Sequence, residues 1–284
     1  MQESPTHPPR PETGTDGVLL RPLASIADYD EAVVLQDEIW GAGFSDRVPA
    51  SILRVGQKVG GVTAGAFDAS GRMLGFVFGL TGVRDGVLVH WSDMLAVRED
   101  ARGMRLGERL KTYQRDIVRA MGVEKMFWTF DPLVARNAHF NLNRLGASIA
   151  EYVPNFYGSN TGSILHGALP TDRFVAEWPV QRPVAARATT SRRPDDAPIV
   201  TVVHDNTIRS VTPFPNAAHV LVPVPTDIES VVGSSPDIAL AWRLATRAAV
   251  MHYLAQGYRI SGFHRAHDDT LPAYELTSSS SNHA

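Results

Sequence analysis

The spacing of apolar and polar positions changes period along this chain, and each change marks an element. Residues 18–23 read as a short strand. From Asp28 to Trp40 a period near 3.6 predicts a helix that turns Val33, Val34, Ile39 and Trp40 inward, with an acidic first turn at Asp28-Tyr29-Asp30-Glu31 and a stop at Gly41-Ala42-Gly43. Pro49 opens a second short helix through Lys58. After Gly60 the period falls to two. Val62–Phe67 and residues 73–80 flank the turn Asp68-Ala69-Ser70-Gly71, and a second turn, Gly82 to Gly86, leads into a strand over Val87–Val97. Three consecutive antiparallel strands are expected.

The strand 87–97 stops at the charged turn Arg98-Glu99-Asp100, and Arg102-Gly103-Met104-Arg105-Leu106-Gly107 leads into a long helix. Leu106, Leu110, Tyr113, Ile117, Val118 and Met121 share its apolar face, and Gly122 ends it. Lys125–Phe130 is a dense apolar strand, buried on both faces. Asp131-Pro132 reads as an N-cap and first helical residue for a helix over 133–144 that stops at Gly146. A strand at 149–153 and the aromatic turn Asn155-Phe156-Tyr157-Gly158 follow. Later strands are expected at 164–169, 173–180, 199–203, 219–223, 258–263 and 271–276. A helix over 236–256 is expected to turn Leu240, Leu244, Ala248, Met251 and Leu254 inward.

Composition adds boundaries and exclusions. Residues 1–17 and 278–284 read as disordered ends, and 181–198 (QRPVAARATTSRRPDDAP) as a flexible segment. That leaves a domain over 18–158 and an α/β extension over 159–277. The chain of 284 residues carries a net charge of −3, so no global charge argument favours nucleic acid or an anionic membrane. It has no cysteine, which removes disulfides and thiolate chemistry. No apolar run of about 18 residues is present to span a membrane, and a cytoplasmic protein is expected. The ten histidines form no HExxH or other closely spaced set, so no metal site is expected.

The chemistry concentrates between His90 and Gly122. A strand, a basic glycine-containing loop and a helix N-terminus offer free N–H groups and a positive dipole end to a phosphate. The order of elements through Asn137, with the loop Arg102–Gly107, resembles the GNAT acetyltransferase superfamily over residues 18–158. WTFDPLVARNAHFNLNRLGA, YVPNFYG and LPTDRFVAEW resemble a subgroup of GNAT-fold proteins of unassigned substrate, a likeness that continues through AWRLATRAAVMHYLAQGYRISGF.

The resemblance implies a mixed, mostly antiparallel central sheet flanked by helices (α/β, more strictly α+β) and acetyl-CoA or another acyl-CoA as cosubstrate. Met94, Leu95, Ala96 and Val97 would pair with the pantetheine arm. Arg102, Gly103, Met104, Arg105, Leu106, Gly107 and Glu108 would hold the pyrophosphate, and Asn137 and Phe140 would line its far side. Two residues depart from the pattern. Arg105 stands where the family loop has glycine, and Leu142 where many members have a tyrosine that protonates the leaving thiolate.

The candidate base is Asp93, expected on the same face as Leu95 and Val97. His90, of opposite parity, and His139 are the other catalytic candidates. Asp131 is better explained as a cap, and Tyr152 and Tyr157 are alternative phenols that aromatic packing explains equally well. The expected activity is transfer of an acyl group to a small amine by direct attack on the thioester. The rival is a module of the same fold that binds a coenzyme A derivative, or another phosphate ligand, as a sensor without catalysis. A second copy of the chain is the other candidate partner.

Overall fold

The computed structural model describes residues 11–158, 162–163, 169–181, 193–204, 207–268 and 270–278. The chain divides into two compact units, Met1–Trp128 with Pro179–Arg182, and Thr129–Trp178 with Pro183–Ala284. Among the described residues no helix is long and apolar enough to cross a membrane.

The first unit runs β1 (Glu12–Thr13), β2 (Leu19–Pro22), α1 (Ile26–Trp40), α2 (Ala50–Lys58), β3 (Val62–Phe67), β4 (Met73–Arg84), β5 (Val87–Val97), α3 (Leu106–Ala120) and β6 (Lys125–Phe130). Its strands form a sheet in sequence order. The pairs from β1 to β5 are antiparallel, and β5 and β6 are parallel. This is the mixed, mostly antiparallel sheet flanked by helices that was expected. Ser25 caps α1, its hydroxyl accepting from the Asp28 N–H in a capping box.

Three expectations are corrected in this unit. The end of the polar arm is structured, since Glu12 and Thr13 pair with Leu20 and Leu19 around a turn that Asp16 closes by accepting from Val18. β4 continues to Arg84, and the turn is Asp85-Gly86, both residues at positive φ, which suits a tight hairpin. Helix α1 buries Tyr29, Ala32, Leu35 and Gln36 and leaves Val34 51% exposed. Gln36 goes inward because its amide bonds the backbone of Ala32 and Val48, which no apolar count reveals. Val33, Ile39 and Trp40 do pack against the core.

The second unit holds α4 (Ala135–Ala138), which continues as a π-helix over His139–Arg144, then β7 (Ser148–Val153), β8 (Arg173–Pro179), β9 (Thr201–His204) and β10 (Thr207–Ser210). β11 (His219–Pro223), α5 (Ile228–Ser234), α6 (Pro236–Ala255), β12 (Arg259–His264) and β13 (Ala273–Thr277) complete it. β7 pairs with β8, β9 with β10, and β13 lies between β11 and β12, all antiparallel.

β6 crosses the division between the units, inside the stretch expected to form one domain. Residues 129–178 group with the C-terminal segment, and two of their carboxylates are matched there. Asp131 takes two hydrogen bonds from Arg243 (2.9 and 2.6 Å), and Asp172 takes two from Arg247 (2.8 and 2.6 Å).

Helix α6 is rotated from its expected face. Ala239, Trp242, Ala245, Ala249, Val250 and Tyr253 point inward, while Leu240, Leu244 and Met251 are 38, 48 and 45% exposed. Trp242 and Tyr253 fill more core volume than the leucines, and the two arginines must face Asp131 and Asp172. Strand β10 and helix α5 were not anticipated. Of the strand expected at 164–169, residues 164–168 lie outside the described residues, as do 182–192 of the flexible segment, residues 1–10 and residues 279–284.

Candidate active site

Strand β5 carries the first half of the site. Its inner edge pairs with β4 along its whole length, whereas its ladder to β6 covers only Val89, His90 and Trp91. Among the described residues, the outer edge from Asp93 to Val97 meets no strand of the first unit. Parallel strands that pair and then part leave N–H and C=O groups for an extended ligand to bond, as an added strand would. Met94, Leu95, Ala96 and Val97 occupy this edge.

A short 3₁₀ turn, Glu99–Ala101, and Arg102 lead to Gly103 at φ 93° and to Arg105, the N-cap of α3, in the left-handed conformation at φ 57°. The resemblance puts glycine at 105, and Arg105 adopts the backbone geometry that glycine adopts freely and other residues adopt at a cost of roughly 1 kcal/mol. No side chain caps α3. Glu108 and Arg109 donate their N–H groups to the Arg105 carbonyl. The N–H groups of the turn before them, Met104 to Gly107, lie outside the hydrogen-bond ladder of this 15-residue helix.

The cations are more restrained than the sequence suggests. Arg105 folds back on Glu108 (3.0 Å), Arg102 lies against Glu99 (3.2 Å), and Arg109 reaches Asp16 (2.8 Å). Arg105 is thus held by a carboxylate on its own helix.

Asp93 is the extra residue of a β-bulge, because Gly79 pairs with Ser92 and Phe78 with Met94. The bulge breaks the alternation, so Asp93 is not simply in line with Leu95 and Val97. The residue is exposed, yet its carboxyl is partly desolvated, which pushes its pKa upward against a hydrogen bond from the Trp91 side chain, and the nearby Asp46 pushes it further. Asp46 sits between Ser45 and Arg47, which line a cleft of about 410 Å³ with Asp30, Val33, Phe44, Pro49 and Ala50. Asp93 therefore faces the acidic side of the α1–α2 connection.

His90 is fully buried on the side of the sheet covered by α3. Its Nδ1 lies 2.9 Å from the Thr81 hydroxyl, Nε2 has no partner, and burial, with Lys111 adding to it, lowers its pKa to about 3. An added Cβ at Gly79 would lie 2.3 Å from that Nε2, so glycine makes room for the ring. Beside it, Lys111 donates to Ser92 Oγ (2.7 Å), Ser92 donates to Gln114 Oε1 (2.7 Å), and the lysine nitrogen lies 3.9 Å from the Trp128 ring centroid. Burial pushes the Lys111 amine well below its usual range. This polar cluster was missed, since helix α3 was read only for its apolar stripe.

The remaining candidates belong to the second unit. Asn137, on α4, donates its backbone N–H to Val134, and Phe140 accepts from Leu145 through the wider hydrogen-bond loop of the π-helix. Asn143 donates to the Phe263 carbonyl (2.9 Å) and lies 3.0 Å from His139 Nδ1. With both amide hydrogens so used, His139 carries its own proton on Nε2. Its pKa is lowered by burial and then by Arg265 and Arg144.

Leu142 is fully buried. Asp131 accepts from the Leu133 N–H (2.8 Å), as a capping side chain does, although the helix proper begins later, at Ala135. Of the alternative phenols, Tyr152 donates to Asp172 and is held in its neutral form, while Tyr157 shares a 2.8 Å hydrogen bond with Thr129. Among the described residues no group of three or more His, Asp or Glu side chains is arranged to hold a metal ion.

The chain is similar in fold to known structures. No family model matches it, and no curated protein is a significant match. The ribosomal-protein-S18-alanine N-acetyltransferase from Escherichia coli is 17% identical, with a TM-score of 0.45, over 58% of this chain and 96% of that one. An acetyltransferase of the GNAT family from Streptococcus pneumoniae is 15% identical, with a TM-score of 0.45, over 57% and 99%. An aminoglycoside 6′-N-acetyltransferase complexed with coenzyme A is 15% identical, with a TM-score of 0.43, over 58% and 98%. All three are acetyltransferases.

Proposed function

We propose that this chain is an acyl-coenzyme A-dependent N-acyltransferase acting on a small amine. The observation that carries the reading is a continuous run of binding groups. The unpaired edge Met94–Val97 leads through a tight turn into the uncapped N-terminus of α3. An edge that accepts an amide-containing arm and a helix end that accepts a pyrophosphate suit the two parts of a coenzyme A chain.

In this reading Asp93 is the base. It removes a proton from the acceptor ammonium, and the raised pKa of its carboxyl strengthens it for that task. The α1–α2 cleft beside it holds the body of the amine, with Val33, Phe44 and Pro49 for apolar contact and Asp30 for its charge. The amine then adds to the thioester carbon, and the tetrahedral intermediate collapses to the amide, releasing the coenzyme A thiolate, which takes up the proton that the new amide nitrogen sheds. His90 takes no part in proton transfer, because it stays neutral and buried beneath the strand.

A second reading, a module that binds a coenzyme A derivative without turnover, is favoured by Leu142, an apolar residue where the resemblance has its acid. Calorimetry with acetyl-CoA, followed by turnover on a panel of amines, separates the two. Binding with turnover that Asp93→Asn removes is the expected result. No binding at about millimolar acetyl-CoA, near −4 kcal/mol, contradicts both readings. Binding without turnover selects the second.

A further inference from the structure

The bulge that carries Asp93 is held from beneath by buried polar groups. Phe78 pairs with Met94 and Gly79 with Ser92, so the ladder to β4 leaves Asp93 outside its register. A residue left out of the register needs other contacts to keep one conformation. Its neighbour Ser92 supplies them, the buried hydroxyl accepting from Lys111 Nζ and donating to Gln114 Oε1, each at 2.7 Å. The single hydroxyl proton is committed, and with it the side-chain rotamer. Lys111 and Gln114 share one face of α3, at i and i+3, and both are buried. Gly79, opposite Ser92, leaves them room, since a Cβ there would lie 2.8 Å from Gln114 Nε2 and 2.3 Å from His90 Nε2.

This arrangement is destabilising in itself. Burial drives the Lys111 amine toward its neutral form, and among the described residues His90 Nε2 and Gln114 Nε2 have no hydrogen-bond partner. Apolar side chains at 92, 111 and 114 would fill the same layer without that penalty. Departures of this kind concentrate where a site needs its geometry held. We infer that Ser92, gripped by Lys111 and Gln114, is a positioning residue that locks the bulge and so fixes where the Asp93 carboxyl stands.

The grip on the bulge needs no ligand, whereas its consequence for catalysis rests on the acyl-transfer reading, in which Asp93 is the base. The titratable groups around the bulge are Asp46, on the α1–α2 connection, and, under the strand, His90 and Lys111, which stay neutral. A loosened bulge admits water to Asp93 and removes part of the desolvation that raises its pKa.

Titration of the Asp93 carboxyl in the full chain, followed by carbon NMR, tests the inference, with steady-state kinetics beside it. Ser92→Ala is expected to lower the Asp93 midpoint by at least about half a pH unit, and the acid limb of kcat/KM to move down with it. kcat is expected to fall about tenfold while the acceptor KM changes less than about twofold. Ser92→Thr, which keeps the hydroxyl, is expected to restore both. Lys111→Met, which removes the buried amine, is expected to shift the midpoint in the same direction in a folded chain, and it decides the matter should Ser92→Ala fail to fold. An Asp93 midpoint unchanged in these variants overturns the inference, even if kcat falls, and so does a shift that Ser92→Thr leaves in place. A wild type that turns over no amine contradicts the acyl-transfer reading alone, and the carboxyl titration still decides whether Ser92 holds Asp93.

Discussion

Two buried charge clusters, one in each unit, are handled in opposite ways. In the first, Lys111 lies under the sheet with a hydroxyl and an aromatic ring as its neighbours, and burial drives it toward the neutral amine. In the second, Asp131 and Asp172 are surrounded by Arg243, Arg173 and Arg247 and remain ionised, their pKa values held below the usual carboxylate range despite burial. A lone buried cation gives up its proton, whereas a matched set keeps its charges. The lesson concerns role. The first unit keeps its ionisable groups neutral behind β5 and leaves the exposed Asp93 to titrate, while the second uses charge to join residues distant in sequence.

Breaking the matched set has the largest expected effect. Among the described residues, Arg243→Met leaves Asp131 with Arg173, at 3.4 Å, as its remaining ion-pair partner, and is expected to destabilise the chain by about 3–5 kcal/mol, read from denaturant unfolding. The same network sets an acid limit. Since both carboxylates have lowered pKa values in the folded state, their contribution is complete above the unfolded value of about 4 and disappears as pH falls through the lowered ones. Thermal unfolding from pH 6 to 2 is expected to show this loss, and Asp172→Asn to flatten it.

Lys111 predicts the opposite sign. Replacing it with Met removes an amine that folding must neutralise and is expected to stabilise the first unit by about 1–3 kcal/mol. A destabilised K111M protein would mean that its bond to Ser92 outweighs the burial of the amine. The smallest effect belongs to Arg105→Gly, which relieves a left-handed residue worth roughly 1 kcal/mol. Acetyl-CoA affinity is expected to rise or hold in calorimetry, because the cradle is backbone. A tenfold loss would show that the guanidinium itself, once released from Glu108, contacts the ligand.

Much of the first unit was legible because local pattern decides it. The hairpins, the strand at 87–97, the loop and helix α3 follow from period and turn chemistry. The bulge at Asp93 was not, because it is defined by which residues of the opposing strand, Phe78 and Gly79, pair with Met94 and Ser92. Nor was the rotation of α6, whose two faces are both apolar and whose orientation is set by arginines that pair with Asp131 and Asp172. Asp131 shows the limit well. Its bond to the Leu133 N–H spans two residues and lies close to the cap read from sequence, although the N-cap is Val134, while its ion pair with Arg243 spans 112 and was not read at all. Lys111 and Gln114 escaped for a related reason, since a polar residue inside an amphipathic helix reads as solvent-facing until the opposing strand is known to carry His90 and Ser92.

The central claim is that a coenzyme arm lies along β5 and ends at the start of α3. Backbone amide resonances followed during titration with acetyl-CoA test it residue by residue. The expected result is a contiguous set of large shifts at Met94 to Val97 and Met104 to Gly107, with the buried His90 and Ser92 moving less. Saturating shifts confined to other residues, or none at all, would contradict it.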